Sequence, residues 1–266
     1  MEFQRVSDGQ SVKPLFSIVT VCRNAADTIA ASARSLGRQH FGDYEWLVVD
    51  GASTDATLAV VNDAGIVNTR VVSERDQGIY DAMNKAVGLA LGEFVFFLNA
   101  DDRFFDGGVL YDVANRLREQ PKIDLLFGNV VVQKPELSTL KRHWYVNRQT
   151  ILFEDLCHQA VFARRTLFQR VGMFALQWPT SADYDWFLRV YASGSCVEYF
   201  DRTIAYFMAG GMHTRNRQAL AEEREAIRLQ YISSTKLAVG ILFSRIAHRF
   251  SRQLFNGMRV GESRMS

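Results

Sequence analysis

Residues 96–102 read FFLNADD, an apolar run that ends in two adjacent carboxylates, Asp101 and Asp102. Like charges at the end of a core strand bring folding no benefit, because they repel and lose hydration when partly buried. They do suit a hard divalent cation, Mg²⁺ or Mn²⁺. Mg²⁺ takes one or two protein carboxylates and fills its other positions with water and substrate phosphates. The same arrangement recurs along the chain. Arg23 and Asn24 follow FSIVTVC, Asp50 ends YEWLVVD, and Glu74 to Asp76 follow TRVVS. Polar and acidic groups at four successive strand ends read as a ligand-binding edge rather than a solvated loop rim. There is no GxxxxGK phosphate loop and no GxGxxG after the first strand, which excludes a P-loop NTPase and an ordinary dinucleotide fold.

The elements that must carry these groups alternate. Apolar runs at 16–22, 44–50, 69–74, 93–99 and 124–132 read as strands. Helical spacing or helix formers fill 28–36, 54–62, 81–91 and 109–120, the last closed by Pro121. Continuous apolar strands separated by helices predict an α/β fold with a mainly parallel, Rossmann-like central sheet flanked by helices. The second half is less regular. Residues 135–148 suggest a hairpin or loop, SADYDWFLRVYASG (181–194) a helix ending at Gly194, 196–211 strands and then a glycine pair, and 218–234 a charged helix.

Bulk properties narrow the class. The chain has 266 residues, is 48% hydrophobic and 23% charged, and carries a formal +2, so it has no overall signature of a nucleic-acid binder. The charge is uneven: residues 236–266 hold six Lys or Arg and one Glu, or +5, which leaves −3 on the rest. Three scattered cysteines, Cys22, Cys157 and Cys196, form no zinc spacing and suit buried thiols in a reducing cytoplasm. The first residues lack the apolar core of a signal peptide, and the apolar stretches fall short of the ~20 residues of a spanning helix.

Five stretches together resemble family 2 glycosyltransferases of the GT-A fold: FSIVTVCRN (16–24), VVDGASTDAT (49–57), SERDQGIYDAMNKAVGLALGE (73–93), FLNADD (97–102) and SADYDWFLRV (181–190). The likeness covers roughly residues 16–212, and its GIYDAMNKA core is similar to a subgroup of bacterial exopolysaccharide and colanic-acid-type enzymes. It implies an N-terminal extension (1–15) and a catalytic domain (16–212). That domain comprises a nucleotide-sugar half (16–132) and a C-terminal acceptor half (133–212). A helical basic tail (213–266) follows. The resemblance places Asp50 and Asp76 at the base and ribose, Asp101 at the ribose, Asp102 on the metal bridging the diphosphate, and Asp183 as general base. Two departures stand out. Gly51 follows Asp50 where many relatives have a second acid, and Asn99 heads the acidic motif in place of Asp, leaving Asp102 little help with a metal. UDP is the default nucleotide by resemblance, with GDP open.

The implied chemistry is metal-dependent and inverting. A nucleoside diphosphate leaves a sugar's anomeric carbon, the cation offsets the developing charge, and Asp183 takes a proton from the acceptor hydroxyl. Asp183 would begin a helix, where negative charge is favoured, and Asp185 would point to another face. Lys85 is a candidate for the diphosphate, His158 for the acceptor pocket, and His213, after Gly210 and Gly211, for the metal; each has an ordinary structural reading beside it. Trp144, Tyr145, Trp178 and Trp186 could stack on sugars, although aromatics at such spacing more often form core. In 236–255 apolar residues fall at 239, 243, 246, 250 and 254, with Arg245, His248, Arg249 and Arg252 largely off that stripe. Such a helix lies in a membrane interface or packs on the catalytic domain or a dimer partner. The expected partners are a nucleotide sugar and a glycan or polyprenyl-linked acceptor, met in the cytoplasm or at the inner face of its membrane. A non-catalytic sugar-nucleotide-binding subunit is the alternative. A sugar nucleotidyltransferase fits less well, because CRNAADT lacks a Gly-rich basic loop.

Overall fold

A computed structural model describes residues 13–210 and 217–232. His213 and the 236–255 stretch lie outside the described residues.

The first half builds as its pattern predicts. Strands β1 (Phe16–Cys22), β2 (Tyr44–Asp50), β3 (Thr69–Ser73) and β4 (Phe94–Phe97) alternate with helices α1 (Ile29–Gly37), α2 (Thr57–Asp63) and α3 (Ile79–Leu89). They pair in parallel in the order β3-β2-β1-β4. The period-two alternation of each strand feeds two cores. Phe16, Ile18, Trp46, Val48, Phe94 and Phe96 point to one face, beneath α1 and α4 (Val109–Glu119). Val19, Val21, Leu47, Val49, Val95 and Phe97 point to the other, beneath α3, α5 (Thr166–Val171) and α6 (Ala182–Ala192). Helices cover both faces, so each strand can be apolar throughout.

Beyond β4 the sheet becomes mixed. The remaining strands are β5 (Arg103–Phe104), β6 (Leu125–Lys134), β7 (Leu137–Lys141), β8 (Val161–Arg164) and β9 (Val197–Met208). β8 lies antiparallel between β4 and β6, β6 runs parallel to β9, β5 pairs antiparallel with the end of β9, and β7 forms a hairpin with β6. The parallel expectation therefore holds for the four N-terminal strands, while β5, β8 and β9 find partners distant in sequence that local pattern does not record.

Two expected boundaries move. A division at 132/133 would cut β6, whose strand continues to Lys134. Helix α7 (Arg217–Leu229), which the sequence reading grouped with the tail, is anchored on the catalytic domain. Its Ile227 is fully buried, Glu223 accepts the Thr180 amide at 3.0 Å, Arg224 pairs with Asp155 at 2.6 Å, and Arg228 donates to the Leu152 carbonyl at 2.9 Å. Among the described residues no helix is long and apolar enough to cross a membrane. The cysteines are unpaired, and Cys196 is exposed rather than buried as expected, because it lies in the turn between α6 and β9.

Candidate active site

The carboxyl ends of β1, β2 and β4 lie side by side and form the edge that the sequence pointed to. Asp50 ends β2 in register with Cys22 and Ser73. It is fully buried, and its carboxylate accepts the Ser53 amide at 2.9 Å, the Ser73 hydroxyl at 2.6 Å and the Ser53 hydroxyl. Burial pushes the Asp50 carboxyl up, but these hydrogen bonds outweigh it and hold the group below its usual value. Burial, with Asp50 alongside, raises the Cys22 thiol to about 12, so this thiol is no nucleophile. Asp50 thus organises the loop after β2. Gly51 opens that loop to Asp76, since a Cβ at position 51 would meet Asp76 Oδ2 at 2.4 Å. The glycine that departs from the family pattern makes room for an acid from the neighbouring strand end.

The 99–102 turn is clamped from beneath. Thr20 Oγ1 donates to the Leu98 carbonyl at 2.8 Å, and Ser32 Oγ of α1 donates to the carbonyls of Asn99 at 3.1 Å and Asp102 at 2.6 Å. The two aspartates then differ. Asp101 is exposed, whereas Asp102 is 1% exposed and accepts the Met208 amide of β9 at 3.2 Å. Asp102 Oδ2 and Asn99 Oδ1 are buried without hydrogen-bond partners. Burial first, and the Asp101 charge second, raise the Asp102 carboxyl to about 7, against the opposing influence of His158, the Met208 amide and Gln159.

Asp183 comes to this edge from the first turn of α6, where the helix dipole favours its charge. Its Oδ1 accepts the Tyr80 hydroxyl at 2.8 Å and the Tyr184 amide at 2.8 Å, and its Oδ2 faces His158 Nδ1 at 3.2 Å. The other ring nitrogen, Nε2, meets Asn99 Nδ2 at 3.1 Å. His158 therefore bridges the strand-end motif and the helix acid, and both of its nitrogens are engaged by protein. The sequence offers His158 for the acceptor pocket; the structure sets it between the two motifs. Asp185 does face elsewhere, held by Arg189 at 2.9 Å.

The remaining candidates separate. Lys85 bonds Glu74 at 2.9 Å, the Arg75 carbonyl at 2.8 Å and Asp81 at 3.5 Å, so its charge is spent on the acidic rim. Trp186 is core, while Trp144 is 56% exposed. Trp144 borders a cavity of about 460 Å³ with Tyr191, Ser195 and Tyr199. This cavity lies toward the C-terminal end of α6; Tyr191 is about 12 Å along the helix axis from Asp183, so the cavity is apart from the acidic edge. The sequence reading missed Tyr80, which sits on the apolar stripe of α3 and looked like core. It is 3% exposed, and burial, with Asp183 adding to it, raises its hydroxyl well above the ordinary value, so it stays a proton donor to Asp183. Arg224, beside Asp155 and near enough to sense Asp183, was also missed.

This edge, on a half-parallel sheet with an acid brought over from a following helix, has known counterparts. The family model described as "Glycosyl transferase family 2" matches residues 17–177. A "PGL/p-HBAD biosynthesis glycosyltransferase" of Mycobacterium tuberculosis is 35% identical over 205 residues, covering 75% of this chain and 79% of that protein. Among solved structures, S. aureus TarS 1-349 in complex with UDP-GlcNAc aligns with a TM-score of 0.66 at 19% identity, covering 91% of this chain and 76% of that one. The mannosyltransferase PcManGT from Pyrobaculum calidifontis, in complex with GDP-Man and Mn²⁺, aligns at 0.64 and 20% identity, covering 82% and 65%. The chain belongs to glycosyl transferase family 2, with a GT-A fold, and it is a glycosyltransferase.

Proposed function

We propose that the protein transfers a sugar, with inversion, from a nucleoside-diphosphate sugar to a hydroxyl of a glycan or lipid-linked acceptor, in the synthesis of a cell-surface polysaccharide or glycolipid. The observation that carries this reading is the bridge from Asn99 through His158 to Asp183, which sets the strand-end motif beside a carboxylate able to act as base. The names of relatives support the product class, since a partial match at 35% identity over 95 residues is the "Putative teichuronic acid biosynthesis glycosyltransferase TuaG" of Bacillus subtilis.

The residues present fit a divalent cation. Asp102 keeps a buried oxygen without a partner, and exposed Asp101 adjoins it. Among the described residues no group of three or more His, Cys, Asp and Glu could hold a metal ion. That suits a cation held by one or two carboxylates together with substrate oxygens and water. When bound, it supplies Lewis-acid stabilisation of the leaving diphosphate. The chain's own residues do the rest. Asp50, through Ser53 and Ser73, fixes the loop that borders the donor, and Asp76 offers a half-buried carboxylate there. Asp183, oriented by Tyr80 and His158, takes the proton of the attacking hydroxyl as the new glycosidic bond forms and the bond to the diphosphate breaks. One displacement with one base inverts the anomeric centre and needs no covalent intermediate.

The test is calorimetry with UDP and with GDP, with and without Mn²⁺, on the wild type and on Asp102→Ala. Metal-dependent binding of one nucleotide, lost in the variant, is the expected result and identifies the donor class. Binding indifferent to metal and to Asp102 would remove the cation from the reading, and no binding of either nucleotide would count against this reading and against a sugar-nucleotide-binding subunit alike.

A further inference from the structure

His158 is 6% exposed, yet both of its ring nitrogens meet polar side chains. Such a ring has few arrangements open to it. Neutral imidazole carries one N–H and one lone pair, and an ionised carboxylate only accepts. Nδ1 faces Asp183 Oδ2 at 3.2 Å, so Nδ1 carries the hydrogen and donates. Nε2 is then a lone pair and needs a donor, which Asn99 supplies from Nδ2 at 3.1 Å. The opposite tautomer would set a lone pair against a carboxylate and two N–H groups against each other. Asp102, which also acts on the ring electrostatically, is an acceptor as well and does not reverse this assignment.

The residue type at position 99 decides the matter. An aspartate there would accept at both ends of the ring and call for a proton on each nitrogen. An aliphatic residue would leave Nε2 buried without a partner, which costs the desolvation of that group. Asparagine satisfies Nε2 with the ring neutral. In this orientation its own Oδ1 is buried and unpartnered.

We propose that Asn99 and His158 form a positioning relay. Asn99 fixes the Nδ1–H tautomer of His158, and that N–H orients Asp183. Because Asn99 heads the turn that carries Asp101 and Asp102, the relay ties the geometry of the acceptor-side carboxylate to that of the donor-side motif. A shift of the turn would loosen the hold on Asp183. The proposal rests on Asp183 being the base, but the state of the ring can be read without any turnover.

The experiment uses the full-length protein labelled with ¹⁵N-histidine. Long-range ¹⁵N–¹H correlations at pH 8 distinguish Nδ1–H from Nε2–H for each of the five histidines, and His158→Gln assigns the relevant signal. The expected result is Nδ1–H for His158 in the wild type and loss of that fixed state in Asn99→Ala. An Nε2–H tautomer in the wild type, or an unchanged ring in Asn99→Ala, overturns the relay, and the wild-type measurement depends on no variant folding. UDP release from UDP-GlcNAc supplies the second readout. His158→Gln, whose amide can donate and accept, should retain at least ten times the kcat of His158→Phe at similar KM. Equal loss in both variants speaks against orientation by hydrogen bonding. Absence of UDP release from every form, wild type included, with the tautomer as expected, would show that UDP-GlcNAc is not the donor and leave the relay standing.

Discussion

The two sides of the site are built differently. On the proposed donor side, Asp50, Asp76 and the 99–102 turn follow the ends of β2, β3 and β4, three of the four parallel N-terminal strands. Strand register places them, and buried backbone hydrogen bonds hold the strands. On the acceptor side, His158, Asp183 and Arg224 come from a single 3₁₀ turn (His158–Ala160), α6 and α7, which share no sheet. Side-chain bonds join them: Tyr80 and His158 to Asp183, Arg224 to Asp155. The difference teaches that the donor edge is a property of the scaffold, whereas the acceptor carboxylate is held by a few individual contacts. Single substitutions should therefore separate nucleotide binding from turnover.

Asp183→Ala should show the largest effect. If Asp183 is the proposed general base, its loss lowers rates by about 10²–10⁴-fold, while affinity for the nucleotide that binds should change little, because Thr20 and Ser32 hold the 99–102 turn through its backbone carbonyls. UDP release and calorimetry on the same preparation test this; a parallel fall in affinity would mean that the two sides are not independent.

Asp102→Asn should act on the donor side and carry a pH signature. The folded protein holds the Asp102 proton up to about 7, above the ordinary aspartate value of 3.8, chiefly through burial. Between those values the native state binds more protons than the unfolded chain, so this group's contribution to stability falls as pH rises and is flat above. Melted in a metal-free buffer, the variant should exceed the wild type at pH 8, on the order of 2–4 °C for each kcal/mol relieved. The gap should close toward pH 4, and a gap independent of pH would show that the carboxylate is not buried and protonated as described.

Tyr80→Phe should give the smallest change. It removes one hydrogen bond to Asp183 and little volume, and a net ~0.5–1.5 kcal/mol corresponds to a loss of roughly 3–10-fold in kcat with KM held. A change in KM alone would place the Tyr80 hydroxyl with substrate rather than with the base.

The parts of the site legible in the sequence are those set by local pattern. Apolar runs of about seven residues fix where strands end, and Asp50, Asp76, Asp101 and Asp102 sit at or just beyond those ends. Asp183 was legible because a helix start is also a local signal. The bridge between the sides was not, because its contacts span 59 residues from Asn99 to His158, 25 from His158 to Asp183 and 103 from Tyr80 to Asp183. Tyr80 lies on the apolar stripe of α3 and is not singled out by a linear reading, and His158 is legible as a candidate without its partners, since burial hides the direction of a polar tip. The unequal burial of Asp101 and Asp102 was not legible for a similar reason: adjacent residues share a neighbourhood in sequence, and the arrival of β9 at Met208 helps to cover Asp102.

The sequence alone determined the alternating strands and helices, the acidic edge and its family resemblance, because periodicity and strand-end chemistry act over a few residues. The tertiary structure decided the mixed second half of the sheet, the docking of α7 and the joining of Asn99, His158 and Asp183. Those features depend on which distant surfaces bury each other, and no local pattern encodes that pairing.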